Sequence, residues 1–410
     1  MGEKLTIDDV IDTGARTLNY AQFDDPELRH QIQLSLARVM QSLGRDAEAA
    51  SLVADIDPQL SATRRLASLS LQSESVAFSG DTAEAMRLSD EAARLLANDA
   101  GISPAEAGHA WFARGRVLRV AGERSAALAA AERALALLDP SVDSEFVHYS
   151  EAMRLRARVL LGLGKSAPAQ AQLRELLQLQ QQRLPRYHPA KLDTYRLLSF
   201  ELTVTGKLDE ADALLAEYVA SAEKVFGADS LQLAFALNGR AILRTEQGDR
   251  ARASADYDTT LAILRKRLGE DSATVGLTMA NAAEMELLLG DAGAAEARYR
   301  EAVAIAVRND DSHGENVAYL RLGLGSALSD LGKLDAALPE IDAGLSGLSA
   351  VKGLTYALAA GEKALWLART GQTQQSAALW QEAQPILARE TPPSNRARQR
   401  LERSLRSFGE

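Results

Sequence analysis

Cysteine is absent from the 410-residue chain, which excludes a disulfide framework, a thiolate metal site and a cysteine nucleophile. The absence leaves the compartment open, because a cysteine-free helical protein suits a reducing cytoplasm and an oxidising periplasm alike. Aromatic residues are scarce, at 5%. Ala, Leu, Glu and Arg abound, and these side chains lose little rotamer freedom in a helix, so an all-α protein is expected. There is no run of ~18 apolar residues able to span a bilayer and no apolar core of a signal peptide near the N-terminus. No membrane insertion is therefore expected, and the cytoplasm is the expected compartment. The opening MGEKLT fits the loose myristoylation pattern of Gly2 with Thr6, although an ordinary translation start accounts for it more simply. Positive charge is also in deficit: 46 Lys and Arg stand against 56 Asp and Glu, a formal net charge of -10. A surface built throughout to hold nucleic acid is excluded, and any basic site must be local.

What the chain does have is a period. Glycines between apolar-periodic segments fall at Gly44, Gly80, Gly122, Gly164, Gly206, Gly248, Gly290, Gly332 and Gly371, and the six intervals from Gly80 to Gly332 are all 42 residues. Such regularity marks a repeat architecture, here of nine repeats, rather than the two to four separate domains that the length would otherwise suggest. Five residues after each glycine stands a small residue, as at Ala127, Ala211 and Ala253, with Ser376 in the last repeat. Seven residues before each stands another, among them Ala37, Ser73, Gly115, Ala241 and Ala364. Small residues on both sides of a glycine turn mean that two antiparallel helices cross there with their backbones close. The glycine ends the first helix without the steric cost of a β-carbon. Acidic residues such as Asp209 and Glu210 open the second, at the positive end of its dipole. Hairpins of this kind cannot cover their apolar faces singly, so they are expected to stack on a shared core.

This pattern, with Trp111, Gly115, Gly122 and Ala134 in the third repeat, resembles the tetratricopeptide repeat (TPR) over essentially the whole chain. The 42-residue period is similar to the kinesin-light-chain type. The stretches "FGADSLQLAFALNGRA" and "RLGEDSATVGLTMANAA" match its linker and paired-asparagine helix, with Asn238 and Asn281 each keeping one asparagine. The opening "LTIDDVIDTGARTLNYAQFDDPELRHQIQLSLARVMQSLGRDAEAA" resembles the segment that starts the repeat region of bacterial serine/threonine kinases bearing these repeats. No kinase signature follows it. If the chain is the sensing part of such a kinase, the periplasm becomes the alternative compartment.

The resemblance implies an α-α superhelix, a TPR solenoid of about nine hairpins in a single domain. Residues 1–29 would form an N-terminal cap, 30–390 the repeats and 391–410 a C-terminal cap. Thr6 with Asp9 reads as a capping box for a first helix reaching about Tyr20. At the other end Pro392 and Pro393 break the last hairpin, and Ser394 opens a helix with Ala397, Leu401, Leu405 and Phe408 on one side. That helix is expected to seal the ninth repeat.

Candidate chemistry is sparse. The five histidines are scattered, without the spacing of a helical zinc site. "GLGKSA" lacks the first glycine of a phosphate loop, since Val159 stands there, and "GLGSALSDLG" has Leu328 at the third glycine position of a dinucleotide loop. Neither an enzyme nor a cofactor is expected. The resemblance instead implies binding of another protein or peptide in a concave groove lined by the first helix of each hairpin. On that register His109, Arg116, Arg119, Arg154, Arg158 and Arg196 face the groove, with Asn238 further along. Arginine pairs with carboxylates through forked hydrogen bonds, so an acidic segment is the expected ligand. The rival surface is apolar, from Phe235, Leu277, Leu287, Tyr319, Leu322, Leu358 and Leu365 in repeats six to nine. Arg114 and Arg156 stand eight residues before their glycines, where the family usually has a packing leucine.

Overall fold

In the computed structural model, the backbone is described for residues 7–20, 25–42, 45–309, 314–349 and 353–408. Glycine sets the punctuation. Eight of the nine repeat glycines lie within these residues, and every one is in the left-handed region, from φ +70° at Gly164 to +102° at Gly80. Gly44 and Thr6, and with Thr6 the proposed first capping box, lie outside the described residues. The residue after each glycine donates its amide to a carbonyl five residues back, from 2.7 Å at Asp291 to 3.2 Å at Asp81. This is the bond that closes a helix through a left-handed glycine. The next helix often starts at once, as when Asp81, Asp249 and Asp291 accept the amides of Glu84, Arg252 and Ala294.

Two compact units divide the chain, Met1–Leu176 and Leu177–Glu410. In the first, α1 (Ile7–Tyr20) precedes the hairpins α2 (Pro26–Ser42) with α3 (Asp46–Leu52), α4 (Ala62–Phe78) with α5 (Thr82–Asn98) and α6 (Pro104–Val120) with α7 (Arg124–Leu137). The hairpin of α8 (Asp143–Gly162) with α9 (Ser166–Arg183) follows, and the division falls inside α9. The second unit continues with α10 (Leu192–Val204) and α11 (Leu208–Phe226), then α12 (Leu231–Gln247) and α13 (Arg250–Leu268). It ends with α14 (Ala273–Leu288) and α15 (Ala292–Arg308), α16 (Glu315–Asp330) and α17 (Leu334–Gly347), α18 (Leu354–Arg369) and α19 (Thr373–Glu390), and α20 (Arg396–Arg406). Among the described residues there is no strand.

The small residues sit where the hairpins cross. Ala37, Ala157, Ala241, Ala283 and Ala364 are fully buried, as are their partners Ala49, Ala169, Ala253 and Ala295. A β-carbon on Gly325 would lie 2.8 Å from the amide nitrogen of Ile341, so glycine is required there for the two backbones to approach. In the last hairpin the two positions touch directly, Ser376 donating to the carbonyl of Ala364 at 2.8 Å.

The arginines that replace the packing leucine leave this register intact. Arg114 reaches Asp90 on α5 at 2.8 Å. Arg156 reaches Gln172 on α9 at 2.6 Å and Glu132 on α7 at 3.2 Å. In α12 the equivalent Arg240 forks onto Asp256 of α13 at 2.8 and 2.9 Å. A cation at this position lays its stem over the crossing and finds an acid or amide on a second helix.

The C-terminal helix departs from a simple cap. Its N-cap is Asn395, not Ser394: the Asn395 side chain accepts the amide of Arg398 at 3.0 Å. Leu401 is fully buried in a cluster with Tyr356, Ala357, Leu365, Ala383 and Leu387 of the ninth hairpin. Phe408 is 45% exposed. The leading half of the helix runs back across the first helices of earlier hairpins. The ring of Pro392 covers Gly206, and the Arg396 guanidinium lies over Gly248.

Candidate functional site

In the first unit the first helices of the hairpins, α2, α4, α6 and α8, line a cavity of about 610 Å³. Its wall carries a charge ladder set by the repeat register. Arg38, Glu74 and Arg116 each stand six residues before their glycine, so one turn of each successive helix presents the same position. Arg116 Nη1 lies 2.7 Å from Glu74 Oε2, to which Gln41 also donates at 3.3 Å. The Arg116 guanidinium stacks over Phe78 at 4.6 Å. Burial pushes the Glu74 carboxyl above the usual carboxylate range, and Arg116 pulls it partly back.

Across the ladder lie His109 and His148, with ring centroids 3.9 Å apart and planes tilted by 36°. His109 Nε2 and His148 Nδ1 are buried and have no hydrogen-bond partner. Burial pushes the His109 pKa down to about 4, helped by His148 and Arg38 close by. Two imidazoles with unpartnered ring nitrogens in a groove wall offer hydrogen bonds to whatever occupies the groove.

The arginines expected in the groove fare differently from one another. Arg116 does not face solvent freely, because it neutralises a buried acid. Arg119 is half-buried, and burial with Arg116 beside it lowers its pKa. On α8, Arg154 lies 3.8 Å from Glu151 with a side chain only 13% exposed, and Arg158 is also engaged by a neighbour. Arg196 belongs to the second unit, where Asp193 holds it at 3.0 Å. Asn238, also in the second unit, accepts the Asn281 side-chain amide at 3.2 Å, so the retained asparagines of successive hairpins meet. A groove cation missed by sequence reasoning is Arg38, exposed on the cavity wall, which Arg64 also lines. Its signal is the register it shares with Arg116 two repeats on.

Within the second unit the corresponding surface is acidic. Glu246 and Asp330 stand two residues before their glycines, Glu284 six before, and Glu362 nine before. The Tyr319 hydroxyl donates to Glu284 at 2.5 Å. Of the apolar residues expected here, Leu287, Leu322 and Leu365 are buried, Leu277, Tyr319 and Leu358 are half-buried, and Phe235 is 39% exposed. Among the described residues no group of three His, Cys, Asp or Glu could hold a metal ion, and no helix is long and apolar enough to cross a membrane.

These hairpins and crossings define a TPR-like repeat protein. No family model and no curated protein matches the chain. Solved structures do. A Rap protein complexed with Competence and Sporulation Factor aligns with TM-score 0.63 and 13% identity, covering 92% of this chain and 100% of that one. The apo quorum sensor NprR from B. thuringiensis gives TM-score 0.60 and 13% identity over 93% and 98%. Apo RapI gives TM-score 0.58 and 14% identity over 96% and 99%. At this identity the likeness is one of fold.

Proposed function

We propose that the chain is a non-catalytic scaffold that binds a peptide or protein segment in the groove of its first unit, with acidic side chains of the ligand engaging the wall. The observation that carries this reading is the groove itself: a cavity of about 610 Å³ lined by repeat helices, bearing an exposed Arg38 and the unpartnered ring nitrogens of His109 and His148. Arg38 supplies a charge-assisted donor and the imidazole nitrogens supply further hydrogen-bonding groups, a combination suited to a peptide segment carrying carboxylates. Arg116 contributes through its pair with Glu74, which a ligand carboxylate would share rather than replace. The fold likeness to a Rap protein complexed with a factor adds support. A second reading makes the chain the partner-sensing region of a signalling kinase or regulator, and the likeness to a quorum sensor favours it. Selection from a random displayed peptide library against the full chain tests the first reading. Enrichment of sequences carrying Asp or Glu, lost against an Arg38→Ala chain, is expected. Enrichment of basic or uncharged sequences, or indifference to Arg38, would overturn it.

A further inference from the structure

The contacts of α20 read as those of a ligand. The Arg396 amide donates to Glu246 Oε2 at 3.3 Å, and its Nε donates to the Glu246 carbonyl at 2.9 Å. One turn on, Arg400 Nη2 meets Asp330 Oδ2 at 2.7 Å while its Nη1 takes Glu362. Leu401, the next residue, lies against Gly361, in a cluster on which Trp380 also packs. Without α20, Glu246, Asp330 and Glu362 would lose these arginine contacts, while Arg369 would stay on Asp330 at 2.7 Å. Leaving buried carboxylates unpaired is costly, so this wall calls for guanidinium groups.

The way α20 is held suits exchange. Of residues 391–408 only Thr391 and Leu401 are buried. Pro393 and Ser394, in the connection from α19, are exposed and outside any helix. At 11 residues the helix is too short to persist alone, so its order depends on the wall. The Arg400 side chain is only 11% exposed, so opening α20 alone would strand Asp330 and Glu362, whereas a competing arginine segment would pair them again.

We propose that the acidic wall of the second unit is a binding slot for an arginine-bearing helical segment of a partner protein, with α20 as the resident occupant that such a segment displaces. Its recognition pattern is two arginines four residues apart followed at once by leucine, as in Arg396, Arg400 and Leu401. The tether gives α20 a high effective concentration, so a partner must bind more strongly than the free tail to displace it. The proposal stands apart from the groove of the first unit, and the failure of either leaves the other untouched.

The test is hydrogen exchange of the unmodified chain in the presence of an isotope-labelled synthetic peptide of residues 391–408. Amides of the chain's own α20 are expected to exchange several-fold faster with this peptide, and hardly faster with a peptide carrying Arg396→Ala and Arg400→Ala. An Asp330→Asn chain is expected to show faster exchange in α20 without any peptide. No acceleration by either peptide would make α20 a fixed wall and overturn the proposal. Equal acceleration by both would remove the arginines from recognition and also overturn it. A doubled mass in light scattering of the chain alone would identify the occupant as the tail of a second copy, and the proposal of a partner protein would fall with it.

Discussion

Ala241 and Ala283 have no exposed surface, and each faces the backbone of the second helix in its hairpin. Leucine at either position adds volume where two helices touch. We expect Ala241→Leu or Ala283→Leu to destabilise by about 1–3 kcal/mol, read from denaturant unfolding. Ala297→Leu, at an exposed position on α15, should change little. His109 gives a pH prediction. Burial lowers its pKa from 6.5 to about 4, so the fold prefers the neutral ring. That contribution is fully present above 6.5 and is lost as pH falls towards about 4. Buried carboxyls such as Glu74 and Glu284, whose pKa values burial raises, act in the opposite sense. The comparison must therefore be with His109→Asn, whose melting temperature should fall less than that of wild type between those two pH values. The small crossing residues were legible in the sequence because their spacing repeats. The His109–His148 contact was not. These residues stand 13 and 16 before their glycines, so no register links them, and only the packing of α6 on α8 brings the rings together.

Among the elements, α6 and α20 carry the informative ion pairs. Arg116→Ala on α6 strands the buried Glu74 carboxyl, and a cost of about 1–3 kcal/mol is expected, since one partner of a mostly buried pair is lost. A groove arginine without a buried acidic partner would show no such effect on stability. Leu401→Ala on α20 opens a cavity in the ninth hairpin and should cost about 2–5 kcal/mol in a thermal or denaturant melt of the second unit. The helical character of α20 and its apolar anchor were readable from the alternation of leucine and arginine. Its path was not, because Arg396 meets Glu246 at a separation of 150 residues and Arg400 meets Asp330 at 70. Local pattern encodes which face of a helix is apolar and says nothing about acids that distant.

Taken as a molecule, the chain is acidic, with a formal net charge of -10, yet it presents an exposed arginine on the wall of the first unit's cavity. Attraction between that wall and an acidic segment is screened beyond ~8 Å at physiological salt. The most direct test is calorimetric titration of the strongest library-selected acidic peptide into wild type and Arg38→Ala chains, each at low and high salt. Arg38 is exposed, so its loss should leave the melting temperature unchanged and remove one charge-assisted hydrogen bond, about 1.5–3 kcal/mol. We expect the wild-type Kd to weaken with salt, and the variant to bind about tenfold or more weakly at low salt with a shallower salt dependence. The same Kd in all four titrations would contradict the assignment of the first unit's groove as the binding site.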